Sequence, residues 1–179
     1  MSVILTAIHS VISFLIEVGV EYMLVGGYAL PFYGALRSSI AIDVAVAIMT
    51  EAQFETFLGA SEAAGFTHTR GAYEDTGFTL LDRETGLEVN LWARPNGIDW
   101  SFETLERRRR FRLDGFEAWV VSPEDYVINK LTRPDRGVQD EVDVKSVLAR
   151  MGEELDWNYL QRRAEGQGVW TLLKAVNKA

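Results

Sequence analysis

The stretch that most narrows the fold is residues 22–48, YMLVGGYALPFYGALRSSIAIDVAVAI. Residues 21–25 suit a short buried strand, and Gly26 and Gly27 stop it. The helix that follows is brief: Pro31 is tolerable only in a first turn, and Gly34 closes it. Residues 40–48 are then a second apolar run, broken by a single carboxylate, Asp43. The order is strand, phosphate-sized turn, short helix and a strand with one metal-sized carboxylate.

Two features of this stretch carry chemistry, and each has a plainer account beside it. A glycine pair lets backbone approach a ligand and leaves amides at a helix start to face phosphate oxygens; it also simply makes a tight turn. An ionised Asp43 inside an apolar strand needs a partner, because desolvating an unpaired carboxylate costs several kcal/mol. That partner is either Arg37 or a neighbouring amide, or else a divalent cation. Arg37 stands out as the only Lys or Arg in the first sixty residues.

Composition bounds the rest. At 179 residues and 47% hydrophobic content the chain has material for one ordinary core, and one domain is expected over residues 1–179. No apolar run reaches the ~18 residues of a membrane span, and residues 1–18 lack a basic start or a small-residue cleavage site, so a cytoplasmic protein with no membrane partner is expected. There are no cysteines and only two histidines, which excludes disulfides and thiolate metal sites and leaves a hard metal on oxygen ligands. A net charge of −8 argues against broad nucleic-acid binding, which draws on excess Lys and Arg.

Along the chain, Ile4, Leu5, Ile8, Val11, Ile12, Leu15 and Ile16 space one wide helix face, with Gly19 as its cap. Residues 50–65 give a second helix, opened by a Thr50/Gln53 capping box and ended by Gly65. Residues 78–82 and 87–92 read as strands of a hairpin across Arg83, Glu84, Thr85 and Gly86. A period of two sets Glu88, Asn90 and Trp92 on one face of the second strand, so Glu88 and Asn90 could share a site with Asp43. Residues 101–112 begin as a helix and end in four arginines, Arg107 to Arg110, with Arg112 beyond. Such a run is either a solvated helix end favoured by the helix dipole or a local phosphate or RNA contact. Residues 117–121 give one more strand. Ser122, Pro123, Glu124 and Asp125 open a helix through Lys130, and further helices are expected over residues 137–151, 156–164 and 169–178. The expected division is a mixed sheet with flanking helices to about residue 121 and a helical part from about residue 122.

Taken together, these residues resemble the nucleotidyltransferase-fold proteins, the small bacterial and archaeal group related to abortive-infection and toxin–antitoxin nucleotidyltransferases. The resemblance rests on Gly26, Gly27 and Ala29, then Tyr33 and Gly34, Arg37 and Ser39, and Ala41 and Asp43. It continues through Val89, Asn90 and Leu91, then Ser122, Pro123, Glu124 and Asp125 with Lys130, and ends on Asp140 and Asp143, spanning residues 21–147. It implies an α+β fold, a mixed sheet flanked by helices with a helical C-terminal region. It also implies a site where three carboxylates hold two Mg²⁺ ions that bind a nucleoside triphosphate and promote in-line transfer of a nucleoside monophosphate.

The chain departs from that pattern at two positions. Ala41 and Asn90 stand where the resemblance implies aspartates, leaving Asp43 as the remaining member. Mg²⁺ demands charged, near-octahedral oxygen ligands. Glu88 is the one nearby substitute, roughly 6 to 7 Å further along the strand. The leading expectation is therefore a catalytically degenerate nucleotide- or phosphate-binding or protein-interaction module, a pseudoenzyme, with any nucleotide bound through Gly26, Gly27, Ser39, Arg37 and Lys130. The alternatives are an active transferase using Asp43 and Glu88 with Mg²⁺ and a nucleoside triphosphate on a protein, RNA or small-molecule hydroxyl, and a toxin–antitoxin-type partner protein with the arginine run, Trp157 and Trp170 as its interface.

Overall fold

A computed structural model describes all 179 residues. Its framework is a seven-stranded mixed sheet: β1 (Tyr22–Val25), β2 (Ile42–Val46), β3 (Phe66–Arg70), β4 (Gly77–Asp82), β5 (Glu88–Trp92), β6 (Arg109–Leu113) and β7 (Phe116–Val120), in the spatial order β3-β4-β5-β2-β1-β7-β6. β2 runs antiparallel to β1 and parallel to β5, and β1 runs parallel to β7. The central strands are the apolar runs of the opening stretch: Met23, Leu24, Val44, Ala45 and Val46 are fully buried, as expected where both faces are covered.

Eight helices complete the chain: α1 (Val3–Glu17), α2 (Leu30–Tyr33), α3 (Glu51–Ala63), α4 (Phe102–Arg107), α5 (Pro123–Thr132), α6 (Val138–Met151), α7 (Trp157–Gly166) and α8 (Trp170–Lys178). Local chemistry sets their ends. Ser2, Thr50, Ser101, Ser122 and Asp156 each accept a backbone N–H of the first turn. At α3 the Gln53 side chain reciprocates by accepting from the Met49 N–H at 2.8 Å. Phe14, Phe57, Phe66, Phe54 and Phe78 interlock α1, α3, β3 and β4 on one face of the sheet. The buried apolar cluster continues without a break from Ala7 in α1 to Val176 in α8, so the C-terminal helices share the sheet's core.

The α+β architecture expected from the sequence is the one observed, with three local differences. β2 starts at Ile42 instead of residue 40, because Val25 at the end of β1 pairs with Asp43 and leaves Ile40 92% exposed. β3, whose five residues read FTHTR, shows no strand pattern in the sequence; it is an edge strand supported by the Phe66 side chain and by pairing to β4. The arginine run is also not a helix end. α4 stops at Arg107, and Arg109, Arg110 and Arg112 lie on edge strand β6, which hairpins into β7 through Asp114 (φ 44°) and Gly115 (φ 94°). Two successive positive-φ residues are the type I′ turn that an Asp-Gly pair favours.

Candidate functional site

The register brings the opening stretch to one point. Val25 is opposite Asp43, Asp43 opposite Asn90, and Asn90 opposite Thr79, so these four residues form a row across β1, β2, β5 and β4 on a single face. A chain of hydrogen bonds runs along the row. The Thr79 hydroxyl donates to Asn90 Oδ1 at 3.3 Å, and Asn90 Nδ2 donates to Asp43 Oδ1 at 3.2 Å. An ionised carboxylate only accepts, which fixes the Asn90 amide with its NH₂ toward Asp43. Trp92, on the same face of β5, turns its indole Nε1 back to the same Asp43 Oδ1 at 3.0 Å. Gly77 makes that possible, since a Cβ there would stand 2.8 Å from the indole Cε3.

Both glycines of the pair are packing requirements as well as cavity walls. Gly26 has φ +66°, and a Cβ on it would lie 2.8 Å from Asp43 Oδ2. A Cβ on Gly27 would overlap the Ser39 hydroxyl. The pair opens a single 3₁₀ turn, Gly26–Tyr28, and the α2 helix beyond it has only four residues. Little dipole is available from so short a helix, so anion affinity here depends on side-chain charge.

That charge comes from the second half of the chain. Asp43, Asn90, Gly26, Gly27, Ser39, Ala41 and Arg37 open onto one cavity of about 390 Å³, and Lys130, Asn129 and Arg133 complete it from the α5 side. Arg37 is anchored at the rim by a two-pronged bond to Asp143 of α6, Nε to Oδ1 at 2.9 Å and Nη2 to Oδ2 at 2.7 Å. Lys130 Nζ lies 3.2 Å from Asp143 and 3.3 Å from Asp140, and Arg133 Nη1 reaches Asp140 at 3.0 Å. Gln139 Nε2 adds a fourth donor nitrogen to Asp143 at 2.9 Å. Burial of Asp143 opposes its ionisation, but the Arg37 guanidinium, the Gln139 amide and the Lys130 ammonium outweigh it and hold the carboxyl below its ordinary range. The same bond raises Arg37. The 93–100 loop brings Pro95 and Asn96 to the cavity; Asn129 Nδ2 donates to the Asn96 carbonyl at 2.8 Å and Arg163 to that of Gly97.

All the site residues expected from sequence line this cavity except Glu88. Its carboxylate is half exposed and pairs with Arg70 at 3.4 Å. Sequence reasoning did not assign Trp92, Asn129, Arg133, Pro95 or Asn96. Trp92 was within reach through the period of two it shares with Asn90, and Arg133 through its helical spacing of three from Lys130. Pro95 and Asn96 sit in a loop with no such signal. The first arginines of the run are tied into the fold elsewhere. Arg107 stacks 3.7 Å from the Tyr159 ring centroid, and Arg108, whose side chain is 8% exposed, pairs with Glu21 and donates to the Tyr22 and Leu105 carbonyls. Trp157 donates its indole N–H to Gly152, and with Trp170 packs against the core.

Residues 4–167 match the family described as nucleotidyl transferase of unknown function (DUF2204). The chain belongs to that family. No curated protein matches it in sequence. Several solved structures share the fold of this family member. The solution structure of antibiotic-resistance factor ANT(2″)-Ia superposes with a TM-score of 0.61 at 14% identity, covering 95% of this chain and 94% of that one. Lincosamide antibiotic adenylyltransferase LnuA, solved with lincomycin bound, gives 0.52 at 13% identity over 78% and 93%. An antigenic nucleotidyltransferase-like protein from Paracoccidioides brasiliensis gives 0.54 at 17% over 94% and 91%. At such identities the likeness is one of fold.

Proposed function

We propose that this nucleotidyl transferase family member binds a nucleotide without using a metal ion and does not transfer it. The observation that carries this reading is the state of Asp43: Oδ1 accepts from the N–H groups of both Asn90 and Trp92, the first of them standing where the family resemblance implies a carboxylate. A divalent cation needs several anionic oxygens converging on one point, and Ala41 supplies none. No group of three or more His, Asp or Glu side chains lies where it could hold a metal ion. The donor set therefore does not fit an Mg²⁺ pair, and no transfer step is derived through one.

What remains is a polar cavity with cations on one wall. Arg37, Lys130 and Arg133 supply N–H donors for phosphate oxygens, and Ser39, Asn96 and Asn129 supply neutral groups for hydroxyls or base edges. A thermal-shift series with ATP and GTP tests the reading. Stabilisation in EDTA that added Mg²⁺ leaves nearly unchanged is the expected result; tightening by about a hundredfold on adding Mg²⁺ overturns it. Adenylyl transfer to a small-molecule hydroxyl is the competing activity, suggested by the adenylyltransferase named among the similar structures. Labelled ATP, Mg²⁺ and lincomycin or tobramycin test it: label on the acceptor that disappears in Asp43→Ala establishes transfer.

A further inference from the structure

The three cations of the cavity are already engaged. Arg37 spends its Nε and one Nη2 hydrogen on Asp143, Lys130 shares its ammonium between Asp140 and Asp143, and Arg133 reaches Asp140 with Nη1 and Asp135 with Nη2. With Asp43 on the opposite wall and Asp135 on the solvent side of Arg133, three positive groups meet four carboxylates, and the site as a whole carries no surplus positive charge. The donors left over are Arg37 Nη1 and one Nη2 hydrogen, the third hydrogen of Lys130, and Arg133 Nε with one hydrogen on each Nη. They can bond phosphate oxygens, but each belongs to a cation whose charge a carboxylate already offsets. A triphosphate adds about one further negative charge for each added phosphoryl group, and nothing in the cavity offsets those charges once a metal is not part of the site. The surroundings suit the rest of a nucleoside: Ser39, Asn96 and Asn129 offer hydroxyl and amide groups, and Trp92 an aromatic wall.

We infer that the ligand of this site is a nucleoside monophosphate, bound in preference to the corresponding di- and triphosphates. The inference rests on the metal-free nucleotide reading above and adds the charge class of the ligand to it. It makes the ion pairs of α6 the selectivity element: Asp140 and Asp143 position the cations and also limit how much anion they can take.

Titration calorimetry on the full chain, in EDTA at fixed ionic strength, with AMP, ADP and ATP and with GMP, GDP and GTP, tests it. The expected order is monophosphate tightest, with affinity falling about two- to fivefold for each added phosphate. The triphosphate binding tightest in EDTA overturns the inference while leaving metal-free nucleotide binding intact; failure of all six to bind overturns both. Asp43→Asn gives a second readout. It removes one carboxylate while an amide oxygen still accepts from Asn90 and Trp92, so the ratio of ATP to AMP affinity should rise. A ratio that stays the same or falls counts against the inference.

Discussion

Replacing Asp143 with alanine tests how the cationic wall is held. The carboxylate is 1% exposed and accepts from Arg37 twice, from Gln139 and from Lys130. Removing one partner of a buried ion pair costs about 3–5 kcal/mol, because the charge left behind remains poorly solvated. Two features put this site at the low end of that range. The Arg37 side chain is 32% exposed and can turn to water, and Lys130 keeps Asp140 at 3.3 Å. A loss of about 3 kcal/mol is therefore expected, and with a shift of about 2–4 °C per kcal/mol for a chain of this size, the Tm falls by about 6–12 °C. Urea unfolding of the wild type and of Asp143→Ala, Arg37→Ala and the double variant measures it, and the two single losses should sum to clearly more than the double loss. The pH dependence supplies a sign. The folded pKa of Asp143 is lowered, so its stabilisation is fully present above the unfolded carboxyl value of about 3.9 and disappears as pH falls through the folded value. The gap between wild type and Asp143→Asn should thus be widest near neutral pH and close in acid. A loss below about 1 kcal/mol at pH 7, or a gap that widens in acid, would refute a docked, ionised Asp143.

Two further outcomes can be checked. Arg108→Ala should cost about 2–3 kcal/mol, since it removes a largely buried guanidinium bonded to Glu21 and two carbonyls, whereas Arg112→Ala on the exposed edge of β6 should stay within about 0.5 kcal/mol; thermal unfolding of both separates a structural arginine from a solvated one. Ala41→Asp combined with Asn90→Asp should lower stability in EDTA by crowding carboxylates around Asp43, and should create Mg²⁺-dependent nucleotide binding that calorimetry detects; binding that still ignores Mg²⁺ would mean these positions do not converge on one metal.

The parts of the fold written in local chemistry were legible in the sequence. The apolar runs of β1 and β2, the capping of α3 and the Ser-Pro start of α5 all need only neighbours a few residues away. β6 was misread because four arginines also suit a helix end, although Asp114 and Gly115 mark a hairpin directly after them. β3 is short, carries mostly exposed residues and has only one partner strand, so its pattern is weak. For the site, periodicity aligned Asn90 with Asp43's face, and the resemblance supplied Arg37, Lys130 and Asp143 as separate positions. Their bonding could not be read, because the Arg37–Asp143 pair closes across a sequence separation of 106. Trp92 as a donor to Asp43 likewise depends on the register between β2 and β5, which spacing within either strand does not encode.

The long reach from Arg37 to α6 also orders events in time. By residue 120 every strand of the sheet has been synthesised, together with Asp43, Asn90 and both cavity glycines, yet Lys130, Arg133 and the Asp143 anchor have still to follow. A nascent chain paused at that length has the polar row, Arg37, Ser39 and the 93–100 loop, but no α5 wall and no Asp143 to hold Arg37. Nucleotide binding as proposed above would thus be a late signal, available only once α5 and α6 have docked, and a bound nucleotide would favour the completed chain over every shorter intermediate.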